Sequence, residues 1–157
     1  MTVRGRRGIE LIEGEVMTLF ASAARGASAG TNGADVATYG ERARYIFVLD
    51  ITAAATDVTD TLDVYVDVLN PDLTTYTNAI HFTQALGTGG VKRFHAVLDA
   101  TNPGTSVIDA TSDAAAGAVR PGLFGQAFRG RYVEVDPGAG VSSFTFSLLG
   151  YAVGSRV

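Results

Sequence analysis

Cysteine and tryptophan are missing from the 157-residue chain, and Lys92 is its only lysine. Without cysteine there is no disulfide framework, no thiolate metal site and no thiol nucleophile. Charge is scarce as well: Asp, Glu, Lys and Arg make up 18% of the residues, below the roughly 25% of ordinary soluble domains. The formal net charge of −4 argues against a dedicated nucleic-acid binder. No run approaches the ~20 consecutive apolar residues of a membrane span. The basic start, Met1 to Gly8, is not followed by the continuous apolar stretch of a signal peptide. Synthesis in the cytoplasm, with neither membrane nor nucleic acid as partner, is the expectation.

Glycine, alanine, threonine and valine take the place of the missing charge. The length suits one domain, able to bury a core without covalent staples. Residues 1–8, with Arg4, Arg6 and Arg7 set among glycines, read as a flexible basic arm, and 9–157 as a single β-sandwich domain. The clearest strand is 61–69, where Leu62, Val64, Val66 and Val68 alternate with Asp63, Tyr65 and Asp67, predicting one buried face and one wet face. Residues 43–52 are almost continuously apolar and read as a central strand. Further strands are expected over 76–85, 91–98, 131–136 and 142–153, the last with Phe144, Phe146 and Leu148 on one face. Residues 9–13 and 15–23 carry weaker β patterning, and a short helix in the second run stays open. Asn70-Pro71-Asp72 and Gly87-Thr88-Gly89-Gly90 are turns. Residues 24–35, 53–60 and 99–118 read as loops, with one helical turn conceivable over 112–116. This pattern predicts an all-β fold, an antiparallel β-sandwich or jelly-roll-like barrel of about 6–8 strands with long Gly/Ala-rich loops. No internal repeat is read from it.

Reactive constellations are sparse. His81 and His95 lack metal-ligand spacing, although a hairpin through the Gly87 turn would bring them near each other. Asp57, Asp60, Asp63 and Asp67 cluster without the glycine and terminal glutamate of a calcium loop. Gly26-Ala-Ser-Ala-Gly30 spells Gly-x-Ser-x-Gly, but it lies in the small-residue stretch read as a loop, without the strand-to-helix turn of a nucleophile elbow, and there is no phosphate loop. Arg120, Arg129 and Arg131 with Phe124 and Phe128 form a weak stacking pattern that the acidic balance opposes. The expectation is a protein that is not an enzyme and uses no cofactor or metal.

Two stretches resemble a recurrent pattern in small virion proteins of tailed bacteriophages. The first is Ile46-Phe-Val-Leu-Asp-Ile-Thr-Ala-Ala-Ala55, answered by Asp60-Thr-Leu-Asp-Val-Tyr-Val66. The second is Gly130-Arg-Tyr-Val-Glu-Val135, followed after a glycine turn by Ser143-Phe-Thr-Phe-Ser147. The chain departs from that pattern at Glu134, where a basic residue is usual, and in a longer insert near 99–118. The resemblance covers about 43–153 and implies a β-sandwich subunit of the virion. Its first implication is a capsid decoration (cement) protein on the capsid surface, made in the host cytoplasm. Such a protein binds the major capsid protein as a homo-oligomer, with a trimer the expected form, and stabilises the shell. Arg4, Arg6, Arg7, Arg25, Arg129 and Arg131 are the candidate partner-binding residues, since arginine pairs well across interfaces. A neck, tail-tube or tail-completion subunit is the alternative. A carbohydrate-binding module using Tyr65, Tyr76 and Tyr132 is a further one.

Overall fold

The computed structural model describes residues 2–4, 9–12, 16–37, 44–99, 107–123, 125–138 and 142–155. All regular structure among them is β. Along the chain the strands are β1 (Thr2–Arg4), β2 (Ile9–Ile12), β3 (Val16–Arg25), β4 (Ser28–Asn32), β5 (Val36–Ala37), β6 (Arg44–Ala53) and β7 (Thr61–Leu69). They continue as β8 (Tyr76–His81), β9 (Ala85–Leu86), β10 (Lys92–Asp99), β11 (Ala118–Val119), β12 (Ala127–Val135) and β13 (Phe144–Ser155). The first sheet runs β1-β2-β13-β6-β10, with β3 also paired to β13. The second runs β11-β8-β7-β12-β4, with β5 on β12 and β9 on β7. Every pairing is antiparallel. The fold is thus the expected two-sheet antiparallel architecture. The strand count exceeds the expected 6–8 because β1, β2, β4, β5, β9 and β11 are short pieces of two to five residues.

The inner faces follow from alternation. Tyr45, Phe47, Leu49 and Ile51 of β6 and Phe144, Phe146 and Leu148 of β13 are buried, facing Leu62, Val64, Val66 and Val68 of β7. Aromatic rings bridge the layers edge to face. Phe128 of β12 meets Tyr45 at 4.8 Å and Phe47 at 5.1 Å between centroids. Phe20, Tyr132 and Phe146 close a second cluster at 5.5–5.9 Å. Contacts of this kind add ~0.5–1.5 kcal/mol each beyond the area they bury. Gly130, on the inward side of β12 between Phe128 and Tyr132, leaves the space that the Phe20 ring occupies.

Residues 16–25 form the strand that their β patterning suggests, and the helix left open there does not form. Other expectations are corrected. The stretch 24–35 contains β4, a small-residue edge strand held by backbone pairing to β12 (Asn32 opposite Arg131, Thr31 opposite Tyr132). No alternation marks it, because its side chains bury little. Residues 112–116 form no helix; the Ala118 amide closes a turn on the Ala115 carbonyl. The hairpin through Gly87 does not form: β8 pairs with β7 and β10 with β6, in opposite sheets. The Asn70–Asp72 turn does form. Asp72 accepts from the Thr75 hydroxyl (2.6 Å) and from the Thr75 and Thr74 amides (2.8 and 2.9 Å), which hold its pKa down at about 2. Of the N-terminal arm, Thr2–Arg4 pairs with Ile9–Ile12, whereas Arg6 and Arg7 lie outside the described residues.

A Cβ added at Gly130 would lie 2.7 Å from a Phe20 ring atom, and that ring is pinned by Tyr132 and Phe146. Gly130→Ala is therefore expected to cost about 1–3 kcal/mol in urea unfolding. Phe20→Leu in the same background should recover part of that loss.

Candidate interaction surfaces

The outer face of the second sheet was expected to be wet, and it is not. Tyr65 and Asp67 are buried there. The Asp67 carboxylate accepts from Arg131 Nε (2.9 Å), Asn78 Nδ2 (3.1 Å) and, at 3.4 Å, Arg129 Nη2. Arg131 also donates to Asp113 at 2.6 Å. Burial by itself would push the Arg131 guanidinium down, but its hydrogen bonds to Asp67 and Asp113 outweigh that and hold it above its ordinary value. Arg131 lies 4.0 Å from the Tyr65 ring centre, and Tyr65 in turn stacks on His81 at 4.3 Å. Burial and the nearby Asp63 and Asp113 raise the Tyr65 phenol. Arg129 lies 3.5 Å from the centre of Tyr76, whose hydroxyl donates to Asp35 at 2.6 Å.

The segment after residue 107 straps this face down. His81 contacts Asp63 Oδ1 through Nε2 and the Ala114 carbonyl through Nδ1, both at 2.8 Å. The Ala114 amide donates to Asn78 Oδ1 at 2.9 Å, and Arg120 reaches the Asn78 and Ser112 carbonyls.

Among the described candidate arginines, Arg25 does not join Arg129 and Arg131. Arg129 and Arg131 serve this internal network. Arg25 sits over Phe20 and Phe146 and donates to the Ala21, Ala23 and Phe146 carbonyls; desolvation is the main cause that lowers its guanidinium. Arg4 lies on β1 opposite Glu10. The three tyrosines share no platform, since Tyr132 points into the core. Phe128 is also core, so the basic stacking pattern does not assemble, and Phe124 lies outside the described residues. The aspartate cluster is dispersed: Asp57 caps Thr59, Asp63 holds His81 and Gln84, and Asp67 holds the arginines. Among the described residues no three His, Asp or Glu side chains are grouped to hold a metal ion. His81 and His95 come from facing sheets and both line a cleft of about 80 Å³ beside Phe94 and Val119.

Glu134, the position singled out in the sequence, points inward at the end of β12. It is buried and accepts from Ser142 Oγ at 2.9 Å. Its Oε2 and the Oδ1 of buried Asp60 have no hydrogen-bond partner among the described residues. Burial pushes the Glu134 carboxyl up, Ser142 opposes this, and Asp60 and Asp136 add to the rise.

The outer face of the first sheet is different, and it is the feature the sequence reading missed. The strands β6 and β10 carry one pattern twice: Arg44-Tyr-Ile-Phe-Val-Leu-Asp50 and Arg93-Phe-His-Ala-Val-Leu-Asp99. Their antiparallel register sets Arg44 opposite Asp99 and Arg93 opposite Asp50. Both pairs close as two-pronged bridges, with shortest contacts of 2.6 and 2.8 Å. Between them run two rows across four strands. One is Val97, Ile46, Tyr151 and Val16; the other is His95, Val48, Leu149 and Thr18. Val97, Val16 and Tyr151 are 49%, 44% and 39% exposed. The repeated Arg-aromatic-x-x-Val-Leu-Asp pattern was the available signal.

The chain matches no protein-family model and no curated protein.

Two outcomes follow from the buried charges. Arg131→Ala leaves Asp67 under-neutralised and is expected to cost about 2–4 kcal/mol in chemical denaturation, with Asp67→Asn in that background relieving part of it. Because the folded pKa of Glu134 lies above its unfolded value of 4.5, its contribution to stability is complete below that pH and is lost as pH rises through the folded value. Glu134→Gln should therefore melt higher than the native chain at about pH 8, with that advantage gone by about pH 4.

Proposed function

We propose that this protein is a structural subunit of a tailed-phage virion, a capsid decoration protein that works by protein–protein contact and not by catalysis. The observation that carries the reading is the contrast between the two outer faces. One is closed by the chain's own residues 109–120 and Arg131, while the other presents a largely apolar band with ion pairs at the ends of β6 and β10. Interfaces between proteins have that anatomy, an apolar centre inside a polar margin. The strand motifs around Ile46–Ala55, Asp60–Val66 and Gly130–Val135 supply the virion context, since they resemble those of small phage virion proteins. In this reading the major capsid protein is the partner, the subunit binds as an oligomer, and the shell gains stability from added buried area multiplied over many sites.

The test is co-sedimentation of the purified protein with emptied shells of the phage whose genome encodes it. Saturable binding at a fixed number of copies per capsomer, with shells that resist heat longer, is the expected result. Protein left in the supernatant at saturating concentrations overturns the capsid reading. Density in a ring on the tail axis of imaged particles would replace it with the neck or tail alternative.

A further inference from the structure

We propose that the outer face of the first sheet pairs with the same face of a second copy, about a two-fold axis running across the strands between the Ile46 row and the Val48 row. This inference deepens the assembly reading above and rests on it for its biological setting, although the contact itself is a property of the isolated chain.

The occupant is argued from charge. The four corners of the β6–β10 face alternate in sign: Arg44 and Asp99 at one end, Asp50 and Arg93 at the other. The two-fold axis lays each strand of one copy over the same strand of its partner, turned end for end. Every arginine then comes over an aspartate, Arg44 over the second copy's Asp50 and Arg93 over its Asp99. A uniformly acidic or basic partner would meet as many like charges as opposite ones, which disfavours association. The same operation sets Ile46 over Val48 and Tyr151 over Leu149 of the second copy, so apolar side chains meet at the centre, while Val97 over His95 and Val16 over Thr18 set an apolar side chain against a polar one at either edge. Aligned sheets pack at about 30° to one another, a rotation that long arginine side chains can follow.

The exposed arginines are already held in place for this. Arg44 and Arg93 have side-chain exposures of 56% and 62%, yet each is fixed by two hydrogen bonds to its in-chain aspartate. Little side-chain freedom remains to be lost on docking. Four strands about 4.8 Å apart and four rows about 7 Å apart give a footprint of roughly 19 by 28 Å. That lies near the lower limit for a specific interface, so the dimer should be weak, with Kd on the order of 10–500 μM. Weak pairing of this kind is reinforced when many copies sit on one lattice.

The experiment is sedimentation equilibrium of the full chain from about 10 μM to about 1 mM, a range set by the weak affinity expected of a small footprint. A reversible monomer–dimer equilibrium is expected. Tyr151→Glu combined with Val97→Glu should hold the protein monomeric throughout, with unchanged circular dichroism since both residues are exposed. Arg44→Asp with Asp99→Arg keeps the in-chain pair but places like charges over like across the axis, and should weaken the dimer at least about tenfold. Adding Arg93→Asp and Asp50→Arg to that chain restores the alternation and should restore the affinity. A monomer at every concentration, a trimer, or a dimer indifferent to the Tyr151 and charge variants overturns the proposal. Shell binding by the native chain in any of those cases would leave the capsid reading standing. A dimer that ignores shells would sink that reading instead.

Discussion

A carboxylate removed from water has to be neutralised in place, and in this protein that requirement falls on Asp67. It sits on the outer side of β7 with only 4% of its side chain exposed. Arg131 and Arg129 come to it from β12 and Asn78 from β8, so one residue ties three adjacent strands together. The same Arg131 reaches on to Asp113, and Asn78 takes the Ala114 amide, which fastens the strap over the sheet. Losing any one partner leaves charge or a polar group buried without compensation, and such a loss is more costly than the gain from forming the pair. The closed outer face therefore depends on that carboxylate.

A β-sandwich has two inner faces, which pack against each other, and two outer faces, which must be solvated, covered or partnered. Here the outer faces are treated in opposite ways. The second sheet is covered by its own chain. The first sheet carries Ile46, Val48, Val97, Leu149 and Tyr151 in rows, with charge only at the margins. Alternation in β6 and in the second half of β13 is accordingly weak as a sequence signal, because both sides of these stretches are largely apolar. β6 is the central strand that its apolar run suggests, flanked by β13 and β10, and its outer side is open. That open side is the physical basis of the assembly role proposed for the protein.

The buried acid at Glu134 belongs to the opposite design. It occupies an inward position in β12 where the preceding inward residues are Phe128, Gly130 and Tyr132, and it lies near a second buried acid, Asp60. Burial, with smaller contributions from Asp60 and Asp136, disfavours the ionised form of Glu134 and pushes its carboxyl up.

The all-β class, the inward residues of β7 and β13 and the turns at Asn70–Asp72 and Gly87–Gly90 were legible in the sequence. All of them follow from two-residue alternation or local turn chemistry, and neither depends on what lies next to the strand. The short strands β4, β5, β9 and β11 were not legible, because they are held by backbone bonds and carry no apolar alternation. The separation of His81 and His95 into different sheets was not legible either, since a turn alone does not say whether the chain doubles back or crosses to the facing layer. The duplicated Arg-to-Asp pattern of β6 and β10 was present to be read, but its meaning appears only when antiparallel register sets each arginine against the other strand's aspartate. By itself, then, the sequence determined which side of the clearly patterned strands enters the core. Tertiary structure alone decided which outer face is closed and which is open, because covering a sheet takes residues such as Asp113 and Arg131 that are remote in sequence from the strand they cover.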